Sequence, residues 1–89
     1  MKKIRVCEKN LQDERGKLRN LDYYLLVEEV ETEDFFCENY GVAIEEPQGE
    51  KAEILGITTK KERAEELLSL LSLHQVSPTT LADVVADWL

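Results

Sequence analysis

The chain has 89 residues, 43% of them hydrophobic, so it can form one domain with a modest core. Its 19 acidic and 11 basic residues give a formal net charge of −8, and a field of that sign repels phosphate backbones and argues against nucleic-acid binding. No apolar run approaches the roughly 20 residues that a membrane-spanning helix needs. We therefore expect residues 1–89 to form a single domain whose partner is neither a membrane nor a nucleic acid.

The N-terminal residues do not have the pattern of a signal peptide, because Arg5, Glu8 and Lys9 interrupt any apolar stretch. A cytoplasmic location is therefore expected. The two cysteines, Cys7 and Cys37, are too few for a disulfide framework and lack the spacing of metal ligands. We expect both thiols to be reduced and partly buried.

Basic and acidic residues are separated along the chain. Bases outnumber acids up to Asn20, whereas Lys51 is the single base between residues 21 and 58. A basic arm could bind an anionic partner, or an acidic patch could bind a basic one. The simpler interpretation, which we prefer, is that a basic strand lies beside an acidic strand and that their side chains pair across the sheet.

The first half of the chain has the pattern of a β-sheet, with alternating polar and apolar residues and many β-branched or aromatic ones. Four strands are predicted, at residues 3–6, 17–31, 35–46 and 52–57. The predicted turns between them are at residues 13–16, 31–34 and 47–50. Every connection is too short for a parallel crossover, so the sheet should be an antiparallel meander.

The second half is predicted to be helical. Apolar residues recur at helical spacing after Thr59, which forms a possible capping box with Glu62. His74 falls in the last turn of this helix, where a hydrogen-bonding side chain suits the exposed carbonyls. Ser77 followed by Pro78 predicts the start of a second helix. Two helices packed on one face of the sheet give an α+β fold.

Several segments together resemble a known family. They are residues 22–31 (DYYLLVEEVE), 40–44 (YGVAI), 57–59 (ITT) and 84–89 (VVADWL). The resemblance is to short uncharacterised proteins of Gram-positive anaerobic bacteria, known only as a domain of unknown function. It covers residues 21–89 and is most specific in the closing Val-x-Asp-Trp-Leu helix. It implies the same α+β fold and brings no activity, cofactor or catalytic residue.

The sequence contains no catalytic constellation. His74 is the single histidine, and no nucleophile has the local spacing that would pair with it. The adjacent carboxylates Glu28 and Glu29 point to opposite faces of a strand and cannot converge on a substrate. A metal site built from Cys7, Cys37 and His74 stays open, but no two of them share a ligand spacing. We expect neither an enzyme nor a cofactor.

The central strand, residues 17–31, is apolar on both faces, although a sheet with one solvated face should alternate cleanly. Two C-terminal helices can cover one face. The other face would then expose an apolar patch, unusual for a small monomer, formed by Tyr24, Leu26, Val30 and Phe35. The alternatives are that the helices cover opposite faces or that long Lys and Arg stems shield the patch.

The predicted core consists of strand residues from one face and of the apolar stripes of both helices. Its members are Tyr23, Leu25, Val27, Tyr40, Val42, Ile44, Leu67, Leu68, Leu71, Leu81, Val85 and Trp88. With this core and the second apolar face, we expect a non-enzymatic protein-interaction module, acting as a homodimer or as an accessory subunit. The alternative is an acidic inhibitor that mimics nucleic acid and binds a basic protein. A small-molecule ligand is not expected, because no polar groups converge on an apolar pocket.

Overall fold

Antiparallel pairing joins the first four elements of the chain into one sheet. The computed structural model describes residues 1–12, 15–47 and 49–89. Its elements are β1 (Lys2–Gln12), β2 (Leu18–Glu31), β3 (Phe36–Glu45), β4 (Lys51–Thr58), α1 (Lys61–Leu73), a 3₁₀ helix (Pro78–Thr80) and α2 (Leu81–Trp88). The strand order is β1-β2-β3-β4 and every neighbouring pair is antiparallel. This arrangement confirms the predicted α+β fold, a four-stranded meander followed by two helices.

The ends of β2, β3 and β4 lie within one residue of those predicted, whereas β1 is much longer than predicted. β1 extends to Gln12, well beyond the predicted end at Val6, because it pairs with β2 along its whole length. Gly16 has a φ of 78°, the left-handed conformation that a glycine adopts at little cost and that its predicted turn requires. Asp13 and Glu14 of that predicted turn, and Gln48 of the predicted loop at 47–50, lie outside the described residues.

One face of the sheet, which we call the core face, packs against both helices. Its β2 residues are Leu21, Tyr23, Leu25 and Val27, which form one cluster with Val42 and Ile44 of β3 and with the buried residues of α1 and α2. Ten of the twelve predicted core residues are buried. The other two, Tyr40 and Trp88, are half-buried and pack against the cluster. In the described chain no helix has both the length and the apolarity needed to cross a membrane.

The predicted capping box of the first helix is wrong. α1 begins at Lys61 with Lys60 as its N-cap, and no side chain accepts a hydrogen bond from its first turn. Thr58 Oγ1 instead accepts a bond of 3.1 Å from the Lys60 N–H. Pro78 does occupy the first position after Ser77, but of the 3₁₀ helix, and α2 begins only at Leu81.

The end of α1 is fixed by backbone hydrogen bonds rather than by His74, whose side chain is exposed. Gln75 adopts a φ of 53°, its N–H donates to Ser72 O at 3.2 Å, and the Val76 N–H donates to Leu71 O at 2.9 Å. These two bonds form a Schellman motif, in which a left-handed residue reverses the chain and satisfies the last carbonyls of a helix. The motif turns Val76 back into the core.

Tyr23 connects this turn to the sheet. Its side chain is fully buried, and its hydroxyl donates a hydrogen bond of 2.9 Å to the Val76 carbonyl oxygen. Burial raises the pKa of the Tyr23 hydroxyl to about 12, with a smaller contribution from the Cys7 thiol on the neighbouring strand. The folded state therefore favours the neutral phenol, because a buried phenolate would lose hydration and the donated proton.

We expect Tyr23→Phe to lower the free energy of unfolding by about 1–2 kcal/mol, because the buried Val76 carbonyl loses its donor. The pH dependence gives a second signature. The unfolded phenol has a pKa of about 10 and the folded one of about 12, so its contribution is complete below pH 10 and is lost as the pH rises through 12. Urea unfolding between these pH values should show a steeper loss for the natural chain than for Tyr23→Phe. Tyr24→Phe, on the opposite face of the same strand, is the control and should keep the steep loss.

Candidate functional site

The face opposite the helices, which we call the open face, is not the continuous apolar patch predicted from the sequence. Leu26 is fully buried at 0% exposure, and Tyr24 and Val30 are half-buried. Phe35 is exposed, at 61%. The expectation that Leu26 lies on an exposed surface is therefore wrong, and the four predicted interface residues do not form one patch.

The cover over Leu26 comes from the chain itself, next to Gly41. Leu26 pairs with Gly41 across the sheet. Between the pairs Tyr40–Thr58 and Val42–Ile54, the single residue Gly41 on β3 faces three residues of β4. A Cβ atom at position 41 would overlap the Ile54 carbonyl oxygen. The β4 backbone thus occupies the space of a missing side chain, and this bulge brings polar backbone to the open face beside Leu26.

A lysine shields the neighbouring aromatic residue. Lys3 Nζ lies 4.5 Å from the centroid of the Tyr24 ring, a cation–π distance, and the same ammonium forms an ion pair with Glu45. This shielding corresponds to the alternative in which long basic stems cover the patch. A second basic residue forms a similar ion pair. Arg19 Nη2 lies 2.6 Å from Oε1 of Glu46, the residue that follows β3.

The hairpin formed by β2 and β3 extends beyond both neighbouring strands. β1 pairs with β2 only up to Lys2 opposite Val27, and β4 pairs with β3 only up to Thr58 opposite Tyr40. Residues 28–39, which we call the arm, are therefore a two-stranded ribbon within the described structure. Its four cross-strand pairs span roughly 13 Å at the usual rise of a strand, and they contribute to a molecule 56 Å long but only 24 Å and 18 Å in its other dimensions.

The arm is acidic, and none of the ion pairs seen in the described part of the chain involves its carboxylates. It contains no base, and its acids are Glu28, Glu29, Glu31, Glu33, Asp34 and Glu38. The ion pairs found among the described residues all lie elsewhere in the chain. Glu29 and Glu38 are direct cross-strand partners, and like charges in that position destabilise a sheet.

Two exposed phenylalanines are at the tip of the arm. Phe35 and Phe36 are 61% and 56% exposed. The turn that carries them is held by the Thr32 N–H, which donates to Phe35 O at 2.8 Å, and by the Phe35 N–H, which donates to Thr32 Oγ1 at 3.2 Å. Phe36 shares the core face with Tyr40 by strand alternation, but the helix-packed core ends before it. Sequence reasoning missed Phe36 as a surface residue, because its exposure depends on the register in which β1 and β4 pair with their neighbours.

The side chains best suited to catalysis or metal binding are far apart or exposed. Cys7 pairs with Tyr23 and Cys37 pairs with Val30, positions separated by seven residues of β2, or roughly 23 Å. Both cysteines are free and half-buried. Within the described residues, no three His, Cys, Asp or Glu side chains are grouped so that they could hold a metal ion.

A surface hollow lies at the end of the sheet opposite the arm. It is lined mostly by polar groups, among them Lys17, Arg19 and Glu46. Two of these side chains, Arg19 and Glu46, form an ion pair with each other.

The chain belongs to a protein family of unknown function, DUF6514, whose model matches residues 2–89. This match confirms that the chain is an uncharacterised domain, and it includes the N-terminal strand. No curated protein and no solved structure matches the chain significantly. The candidate site therefore rests on the geometry of the arm.

We expect Gly41→Ala to lower the free energy of unfolding by at least about 2 kcal/mol, because its methyl group would overlap the β4 backbone, which cannot move like a flexible side chain. Urea unfolding measures the loss. Gly49→Ala is the control, since the nearest atoms to its new methyl group belong to the Glu46 side chain. Equal losses in the two variants would contradict the close backbone approach at Gly41.

Glu38→Gln should raise the free energy of unfolding by about 0.2–1 kcal/mol, because it removes the repulsion from Glu29 across the arm. The gain should shrink at about 1 M NaCl, where the Debye length falls to about 3 Å. Glu53→Gln removes an exposed acid that faces Ala43 rather than another carboxylate, and it should leave stability nearly unchanged. If Glu38→Gln and the natural chain have equal free energies of unfolding at low salt, repulsion between Glu29 and Glu38 does not destabilise the natural chain.

Proposed function

We propose that the chain is a non-enzymatic protein-interaction module that binds a different protein through the arm. The observation that carries the proposal is the exposure of Phe35 and Phe36 on a ribbon that projects beyond its neighbouring strands. A two-stranded ribbon is marginally stable in water, and exposed large aromatic side chains on it do not help the isolated domain to fold. Aromatic residues are enriched where proteins bind one another.

The chemistry of the described residues supports a binding role rather than catalysis. A nucleophile, a base and an orienting group must lie within hydrogen-bond reach of one another. The His74 side chain is exposed at the end of α1, Cys7 lies beside the core, and Cys37 lies in the arm. The proposal therefore assigns no catalytic residue, cofactor or metal. It sets the protein in the cytoplasm, where free thiols such as these stay reduced.

A partner other than a second copy of the chain fits the arm better. In a dimer formed through two arms, the six carboxylates of one arm would lie near the six of the other. Like charges at an interface disfavour association. The homodimer prediction depended on an exposed Leu26, which is buried. The homodimer stays a prediction without that support, and an accessory subunit becomes the preferred form of the proposal.

The alternative of an acidic inhibitor that mimics nucleic acid uses the same carboxylates. Glu29, Glu31 and Glu38 share one face of the arm by strand alternation, and such a line could imitate phosphates. The exposed Phe35 at the tip has no counterpart in a sugar–phosphate backbone. We therefore prefer the interaction module.

A photo-crosslinking amino acid placed at Phe35 tests the proposal in an extract of the source cell. We expect one main crosslinked protein of different mass, lost when excess natural chain is added but retained with excess Phe35→Ser/Phe36→Ser, since that variant cannot compete for a partner bound through these rings. The control is the same crosslinker at Leu73, which is 74% exposed on α1.

Three results would count against the proposal. Crosslinks of equal pattern from positions 35 and 73 would indicate random collisions. If the Phe35→Ser/Phe36→Ser variant competes for the crosslinked protein, the two phenylalanines of the arm are not part of the interface. A crosslink only between two copies, together with a native mass that doubles with concentration, would establish the homodimer instead.

A further inference from the structure

We infer that the partner bound by the arm presents a basic surface around an apolar recess, so that cations meet the arm carboxylates while the recess takes Phe35 and Phe36. This inference rests on the proposed function and specifies the chemistry of its partner. It also specifies the contact face, which is the arm face carrying Glu29, Glu31, Glu38 and Phe36, with Phe35 at its end.

Most of the net charge of the molecule is in the arm. Residues 28–39 carry six acids and no base, which leaves thirteen acids and eleven bases in the rest of the chain. The arm thus accounts for −6 of the formal charge of −8. Outside the arm, acids such as Glu45 and Glu46 are already paired with bases. A basic partner therefore meets one concentrated negative site.

The spacing of the arm carboxylates makes them act together. Glu29 and Glu38 face each other across the ribbon, a Cβ separation of about 5 Å, and Glu31 is one strand repeat, about 7 Å, from Glu29. Both separations are below the Debye length of about 8 Å at physiological salt. Their fields add at the surface of an approaching partner, which raises the association rate for a basic protein and disfavours an acidic one.

The phenylalanines supply what exposed charges cannot. Ion pairs at a solvated rim contribute little to affinity, whereas an aromatic side chain that fills a pocket removes a large apolar area from water. Phe35 and Phe36 are the exposed aromatic rings of the arm, and the hydrogen-bonded turn at Thr32 holds the backbone that carries them. The carboxylates therefore contribute selectivity for a basic partner, and the two phenylalanine rings contribute most of the affinity.

The opposite face of the arm is the less suitable contact. It carries Glu28, Val30, Cys37 and Asn39 by strand alternation, and all four side chains are half-buried in the described structure. The contact face carries the exposed acids Glu29 and Glu31 and the exposed Phe36, and only its Glu38 is half-buried. The recess on the partner therefore approaches from the side of the sheet on which the helices pack.

Synthetic peptides serve as probes for this inference. The first is an amphipathic helical peptide with a stripe of leucines that is flanked on both sides by lysines, so that both residue types can contact the same face of the arm. The second replaces its leucines by serines, and the third replaces its lysines by glutamates. Fluorescence anisotropy measures the binding of each peptide to the full chain between about 0.05 and 0.5 M NaCl, a range over which surface charge is progressively screened.

We compare the natural chain with two triple variants that lose the same charge. The arm variant is Glu29→Gln, Glu31→Gln and Glu38→Gln, and the control variant is Glu50→Gln, Glu53→Gln and Asp87→Asn, all exposed acids outside the arm. We expect the lysine–leucine peptide to bind the natural chain with an affinity that falls with salt. The arm variant should lose about tenfold or more in affinity and the control variant less than about twofold. Phe35→Ser should weaken the lysine–leucine peptide but not the lysine–serine peptide.

Each other outcome overturns the inference. Equal losses in the two triple variants would show that net charge alone attracts the peptide. If the lysine–leucine and lysine–serine peptides bind equally, the partner needs no apolar recess. If the glutamate peptide binds as well as the lysine–leucine peptide, the partner needs no basic surface. Far-ultraviolet circular dichroism confirms that each variant is folded. If crosslinking at Phe35 captures a partner while these peptides fail, the proposed function stands and the basic partner is wrong.

Discussion

The hydrogen bond from the Tyr23 hydroxyl to the Val76 carbonyl oxygen connects the two halves of the molecule. Tyr23 lies in the middle of β2, and Val76 lies in the turn that ends α1. Because the Schellman motif directs Val76 inward, its carbonyl needs a donor inside the core, and Tyr23 is placed to provide one. The bond lies within the cluster in which Leu67 of α1 and Leu81 of α2 pack on the same face of the sheet.

With both helices on the core face, the open face needs another cover. The chain provides it with backbone and with a lysine stem rather than with a third apolar layer. Gly41 admits the β4 backbone beside Leu26, and Lys3 lies over Tyr24 while pairing with Glu45. An apolar residue on the open face can thus be buried by its own chain where its cross-strand partner is a glycine that admits the backbone of the next strand. This arrangement removes the open face as the reason for a partner.

The stability of the isolated domain does not explain the residues found in the arm. The core stops near Val27 and Tyr40, where β1 and β4 also stop pairing. Beyond that point the ribbon keeps a facing pair of glutamates and two exposed phenylalanines, features that oppose stability or waste apolar surface. Residues that cost stability are commonly retained where a protein binds. The proposed interaction site therefore lies at the projecting end of the sheet and not in its middle.

The sequence by itself determined the elements and most of the core. Period-two and period-3.6 patterns predicted four strands and two helices because alternate strand positions and helical stripes bury apolar side chains, and ten of twelve predicted core residues are buried. Its composition also located the acidic segment. Only the tertiary structure decided which apolar residues stay exposed. The cover on Leu26 depends on a backbone approach at Gly41, and the exposure of Phe36 depends on where β1 and β4 end. Burial is set by neighbours distant in the chain, and a local pattern cannot contain their positions.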